Sequence, residues 1–151
     1  DGNDSLSGGD DDDLIRGEAG ADQLFGDSGN DTLHGDAGTD LLLGGIGRDF
    51  LFGGSDDDCL SGGGGDDRLF GNGGNDRLRG DDENDSLRGG TGEDTIAGGL
   101  GIDTVKGDSN TDRVAGGIGT GVADAGDLVQ HFNRFTEIDE AFFINDAWNV
   151  I

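Results

Sequence analysis

The sequence predicts an all-β solenoid, a stack of short strands joined by glycine turns, and three observations predict it. An Asp recurs every nine residues, thirteen times without a gap: Asp4, Asp13, Asp22, Asp31, Asp40, Asp49, Asp58, Asp67, Asp76, Asp85, Asp94, Asp103 and Asp112. Two places after each stands an aliphatic residue: Leu6, Ile15, Leu24, Leu33, Leu42, Leu51, Leu60, Leu69, Leu78, Leu87, Ile96, Val105 and Val114. Five places before each Asp from Asp13 onward stands a Gly: Gly8, Gly17, Gly26, Gly35, Gly44, Gly53, Gly62, Gly71, Gly80, Gly89, Gly98 and Gly107. Three ladders in one register mark a repeat architecture, in which each unit buries its apolar side chain only by stacking on its neighbours.

Each unit reads G-[G/D/N/E]-x-[G/D/E/N]-x-D-x-[L/I/V]-x, with GGIGRDFLF at 44–52, GGGGDDRLF at 62–70 and GGTGEDTIA at 89–97 the cleanest copies. Gly at the first, second and fourth positions suits a turn with positive φ and close backbone approach. The aliphatic at the eighth position has polar or variable neighbours, so in a strand it points inward while the seventh and ninth point out. One inward side chain per unit makes a thin core. At the fourth position Asp11, Asp56, Glu83 and Asn110 replace Gly. Asp and Asn tolerate a left-handed backbone, whereas Glu predicts a strained turn around Glu83.

Composition agrees. Of 151 residues, 34 are Gly and 34 are Asp or Glu, against 9 Lys or Arg; hydrophobic residues are 30%, Pro is absent and the net charge is −25. An ordinary globular core is excluded by that balance. Nucleic acid and anionic membrane surfaces both require a cationic face, so neither is an expected partner; cations are. No apolar run approaches the roughly 18 residues of a membrane span. Asp1 is followed by no signal-peptide pattern, and the chain reads as a piece of a longer polypeptide. The single Cys59 excludes a disulfide framework and a Cys-rich zinc site.

Residues 1–120 resemble the calcium-binding nonapeptide repeats of RTX (repeats-in-toxin) proteins, the hemolysin-type repeats of type I-secreted proteins. The resemblance implies that six residues of each unit form a calcium-binding turn and three a short strand. Two units then make one 18-residue coil of a right-handed parallel β-roll. It further implies that each ion lies between turns on one edge, so that aspartates 18 apart act in pairs, from Asp4/Asp22 to Asp94/Asp112. That gives up to about 11 Ca²⁺. Backbone carbonyls of the turns complete the set, including Gly26, Ser28, Gly44, Gly45, Gly47, Gly62, Gly63, Gly65, Gly89, Gly90, Gly92, Gly98, Gly99 and Gly101.

Calcium also suits the residues themselves. Carboxylates and turn carbonyls are hard oxygens, without the Cys or His density that zinc wants, and magnesium demands rigid octahedral geometry. A core this thin and this rich in Gly needs a further folding term, which a metal bound only by the folded state supplies. Eleven divalent ions would offset all but three of the 25 net negative charges. At 116–124, GGIGTGVAD carries Gly121 where Asp should stand, so calcium binding should end at that coil.

Outward strand positions hold Arg16, Arg68, Arg77, Arg79, Arg88, Lys106 and Arg113. They either neutralise neighbouring carboxylates and confer solubility, or form a sheet that binds an anion or a polysaccharide. Leu14, Phe50, Phe52 and Phe70 should share one face and Phe25, Leu41 and Leu43 the other, as contact surfaces for a neighbouring domain, a cap or an external ligand. Thr32, Thr95 and Thr104 are too scattered for the Thr-x-Thr ladder of ice-binding rolls.

Residues 121–151 are expected to form a C-terminal cap, with Phe132, Phe135, Phe142, Phe143 and Trp148 concentrated there. Leu128, Val129, Phe132 and Phe135 have the spacing of a short amphipathic helix with Asp127 as N-cap, closing the open end of the roll. The final NDAWNVI is similar to the endings of type I secretion substrates, so the cap overlaps a secretion signal.

No catalytic spacing ties His34, at an outward ninth position, or His131 to a nucleophile or acid. Cys59 reads as a bystander thiol. The repeated carboxylates are explained by metal ligation rather than acid–base chemistry, and neither a phosphate-binding loop nor EF-hand spacing occurs. The sequence therefore predicts a non-enzymatic calcium-binding module of a Gram-negative bacterium. It is disordered in the low-calcium cytosol and folds on export, secreted and extracellular, aiding secretion of a larger protein. The alternatives are an adhesive or polysaccharide-binding module with a glycan or cell-surface ligand, and the non-catalytic tail of a secreted hydrolase or epimerase with its catalytic domain upstream.

Overall fold

A computed structural model describes residues 1–116 and 128–131. Its elements are all strands: β1 (Ser5–Asp10), β2 (Leu14–Ala19), β3 (Gln23–Ser28), β4 (Thr32–Ala37), β5 (Leu41–Ile46), β6 (Phe50–Ser55), β7 (Cys59–Gly64), β8 (Arg68–Gly73), β9 (Arg77–Asp82), β10 (Ser86–Thr91), β11 (Thr95–Leu100), β12 (Thr104–Ser109), β13 (Arg113–Gly116) and β14 (Leu128–His131). Consecutive strands alternate between two sheets. One runs β1-β3-β5-β7-β9-β11-β13-β14 and the other β12-β10-β8-β6-β4-β2. Every pairing is parallel, and from β1 to β13 the register is 18 residues, as in Leu24↔Leu42 and Leu51↔Leu69. The fold is thus the parallel β-solenoid that the ninefold repeat predicts, with two units per coil.

The two sheets enclose the aliphatic ladder, to which each strand from β1 to β13 contributes one side chain. Leu24 to Leu78 of the aliphatic ladder are wholly buried, and Ile15, Leu87, Ile96, Val105 and Val114 nearly so. Leu6, at the first coil, is only partly covered. Alternation along the strand produces this: in β6 the outward Phe50 and Phe52 flank the buried Leu51.

Two features depart from expectation. Strands β1 to β12 are six residues rather than three, because they continue through the first three positions of the next unit; partners there include Asp27↔Gly45 and Ser28↔Ile46. Secondly, Leu128–His131 is not the first turn of a helix but a strand on β13, aligned Arg113↔Leu128 and Val114↔Val129. An offset of 15 replaces 18 at that coil. The available backbone edge of β13, which must bond to something, outweighs a helical spacing carried by few residues. Asp127, Phe132, Phe135 and the remainder of the expected cap, with Gly121 and NDAWNVI, lie outside the described residues.

Candidate metal centre

The turns between the sheets are built by two different uses of glycine. At the second and fourth positions the backbone is left-handed whatever the residue: Asp27, Asp36, Asn72 and Asp81 have positive φ at the second, and Asp11, Asp56, Glu83 and Asn110 at the fourth. Glu83 does occupy the conformation expected to strain it, at φ 75°, and its carboxylate accepts the Gly65 N–H at 3.0 Å. The first-position glycines have no such φ; they are required by contact. A Cβ on Gly53 would lie 2.5 Å from Asp58 Oδ2 and 2.9 Å from the Gly71 carbonyl oxygen. The same pair of oxygens crowds Gly8, Gly17 and Gly62 in their own coils.

From Asp22 to Asp94 each ladder aspartate therefore sits against the first glycine of its own turn and near the first carbonyl of the next turn on that edge. Its Oδ1 accepts the backbone N–H of the Asp 18 residues earlier: Asp22 from Asp4 at 2.7 Å, Asp58 from Asp40 at 2.9 Å, Asp112 from Asp94 at 2.8 Å. All eleven pairs expected from the repeat are joined in this way. The other oxygen makes no hydrogen bond. Oδ2 of Asp13, Asp22, Asp31, Asp40, Asp49, Asp58, Asp67, Asp76, Asp85, Asp94, Asp103 and Asp112 is buried without a hydrogen bond. Asp4 differs, being exposed at the end of the stack.

Burial disfavours the charged form of a carboxyl group. Burial, opposed by the backbone hydrogen bond from Asp40 and reinforced by Asp76 and Asp40, pushes Asp58 up to about 8. Burial likewise raises Asp67 and Asp85 to about 7 and Asp76 to about 6. Asp31, Asp40, Asp49 and Asp103 move the same way for the same first cause. These oxygens and the first-position carbonyls together line both edges of the solenoid.

An oxygen-seeking cation matches that donor set. Among the described residues no three His, Cys, Asp or Glu side chains converge as a metal cluster, so an ion held here would draw most of its ligands from backbone carbonyls, a set that suits calcium better than zinc. The first-position carbonyls of Gly26, Gly44, Gly62, Gly89 and Gly98 lie beside the ladder aspartates. Second- and fourth-position carbonyls, such as Gly45 and Gly47, stack against the equivalent glycines Gly63 and Gly65 of the following coil. Ser28 is placed differently. Third-position carbonyls of Ala19, Ala37, Ile46, Ser55, Gly64 and Thr91 accept turn N–H groups, and Ser28 at that position is paired between Asp10 and Ile46 in its sheet.

A second ladder was not visible in the sequence. At the fifth position Asp12, Asn30, Asp57, Asp66, Asn75 and Asn84 accept the N–H of the residue 18 later through Oδ1, as Asn75 does from Glu93 at 2.9 Å. These bonds run opposite to those of the ladder aspartates. Bonds from the Asn30 N–H and side chain hold Asp12 below the usual carboxylate range. Only the run of Asn and Asp at this position in the consecutive units from Asp57 to Asn84 hinted at it.

Outward bases mostly meet acids on the same face: Arg16 with Asp36, Arg79 with Asp81, and Arg88 and Lys106 with Asp108. Cys59 is half-buried and unpaired by any disulfide, its thiol raised chiefly by burial. His34 stacks on Phe52, whereas nothing is described of the His131 side chain.

The sequence profile described as the RTX calcium-binding nonapeptide repeat matches four times, at residues 1–33, 34–69, 70–105 and 88–123. No curated protein matches the chain.

Proposed function

The chain belongs to the RTX calcium-binding nonapeptide repeat family, and from that premise we propose that the ladder aspartates and the turn carbonyls hold a row of Ca²⁺ along each edge, whose binding drives the chain to fold. The twelve buried Oδ2 atoms that make no hydrogen bond are the observation that carries this reading. A cation between turns would give each a ligand bond, neutralise the charge that burial opposes and link coil to coil. The ions would be held by Asp13 to Asp112 with Asp4 at the open end, together with first-position carbonyls such as Gly26 and Gly44. Calcium supplies charge neutralisation and cross-linking here, with no reaction to perform.

Coupling of binding to folding makes calcium concentration a switch. Extracellular modules bind at about 10⁻⁴–10⁻³ M, so a chain of this kind stays unfolded in a cytosol and folds outside the cell. That behaviour suits a secreted bacterial protein exported as an unfolded chain by a type I system. Far-UV circular dichroism in chelator, in several millimolar calcium and in equal magnesium tests it. A coil-to-β transition in calcium alone is expected; β structure that persists in chelator, or that magnesium induces equally, overturns the reading.

A further inference from the structure

The outward face of the even-numbered sheet carries a column of rings that ends at a cleft. His34, Phe52 and Phe70 occupy one row on β4, β6 and β8 and stack in parallel, with centroids 4.7 and 5.0 Å apart and planes within 8°. On the side of Phe70 away from Phe52 the next strand offers no ring. There Arg88 is bonded to Asp108 on β12, which Lys106 also engages. Gly90 leaves a gap between Asn72 and Asp108, its partners in register on β8 and β12. The resulting cleft, about 450 Å³, is lined by Phe70, Asn72, Arg88, Thr91, Asp108 and Ser109 and floored by Gly89 and Gly90.

That lining selects a ligand chemistry. An aromatic face beside donors and acceptors suits a ring with one apolar face and a rim of hydroxyls. A wholly apolar ligand would leave Asp108 and Asn72 desolvated. A polyanion would meet Asp108 and the field of a chain of net charge −25. Order in the walls lowers the cost of binding: Phe70 is backed by two further rings and Arg88 is fixed by its ion pair.

We propose that this cleft binds a neutral saccharide, with one sugar ring on the face of Phe70 turned from Phe52 and its hydroxyls bonded by Arg88, Asp108, Asn72 and Ser109. The rest of an oligosaccharide runs along the sheet beside the ring column. The proposal needs the folded roll but no metal-ligating side chain, and Gly89 and Gly90, whose carbonyls are counted among the turn ligands, only floor the cleft, so it fails or stands apart from the calcium reading.

Its test is titration of the full chain in calcium with cellohexaose and chitohexaose, and with an oligogalacturonate as charged control, followed through backbone amide shifts. At least one neutral hexasaccharide is expected to shift Phe70, Arg88, Gly90 and Ser109 saturably. Phe70→Ala should weaken that binding at least tenfold. Arg88→Ala, which removes a donor from the cleft wall, should weaken it as well, while Phe25→Ala on the other sheet leaves it unchanged. Circular dichroism in calcium checks that each variant folds. No shift with either neutral sugar, response to the oligogalacturonate alone, or binding indifferent to both cleft variants overturns the proposal.

Discussion

At the residue scale, the two oxygens of a ladder aspartate have unequal surroundings, and that inequality sets what substitution and pH will do. Asp58 belongs to two successive pairs, with Asp40 and with Asp76, whereas Asp4 belongs to one. Asp58→Asn keeps an acceptor for the Asp40 N–H but loses the charge, so calcium stoichiometry should fall by two ions; Asp4→Asn should cost one. Equilibrium calcium titration counts them, and equal losses would refute the pairing. The pH dependence follows from raised carboxyls. Asp58 at about 8, Asp67 and Asp85 at about 7 and Asp76 at about 6 lie above an unfolded value of about 3.9. Between those limits the metal-free fold binds more protons than the unfolded chain, so its stability is greatest near pH 4 and falls as pH rises through 6 to 8. Calcium should therefore bind more weakly at pH 5 than at pH 8, because it displaces protons, and titrations at the two pH values measure the difference. The identity of these aspartates was legible from their period alone. Which oxygen goes unpartnered was not, since that depends on the Oδ1 bond to a backbone 18 residues away.

At the scale of the element, glycine is used in two ways within one turn, and the two respond differently to a methyl group. Gly53→Ala brings a Cβ against Asp58 Oδ2 and the Gly71 carbonyl, which cannot both retreat in a stacked coil. A loss of about 1–3 kcal/mol is expected from such overpacking, with a raised calcium midpoint. Gly64 at a third position meets nothing within 4 Å and has no positive φ. Gly64→Ala should be neutral or stabilise by about 0.4–1 kcal/mol through the unfolded chain. Thermal melts of both variants in calcium make the comparison, and equal effects would refute the contact argument. The sequence showed glycine at positions one, two and four but not the division between contact and conformation. Asp27 and Asn72 at second positions were the available clue, because such residues tolerate a left-handed backbone. The fifth-position ladder was less legible still. Asn75 is bonded to both neighbouring coils, through Asp57 and Glu93, yet nothing in its own unit requires an amide. Asn75→Ala should cost about 1 kcal/mol, read from the same melts.

At the scale of the molecule, the solenoid is a one-dimensional stack in which each coil touches only its neighbours, so register matters more than length. The repeat made this legible from β1 to β13, where every pairing keeps one offset. The change to 15 at β14 was hidden, because the sequence there offered a helical spacing and no ninefold marker. Deleting residues 71–88 removes one coil and joins Phe70 to Gly89, preserving the order of turn and strand. The shortened chain should still fold in calcium, with two fewer ions because Asp76 and Asp85 are gone. Deleting residues 71–80 instead shifts the phase by one, placing the following aliphatic ladder on the outward face and the aspartates off their turns. The β transition of that chain should be lost beyond the junction. Circular dichroism and calcium counting on the two deletions distinguish them. If both fold alike, the stack is held by composition rather than by register, and the ladder of paired aspartates is not what aligns the coils.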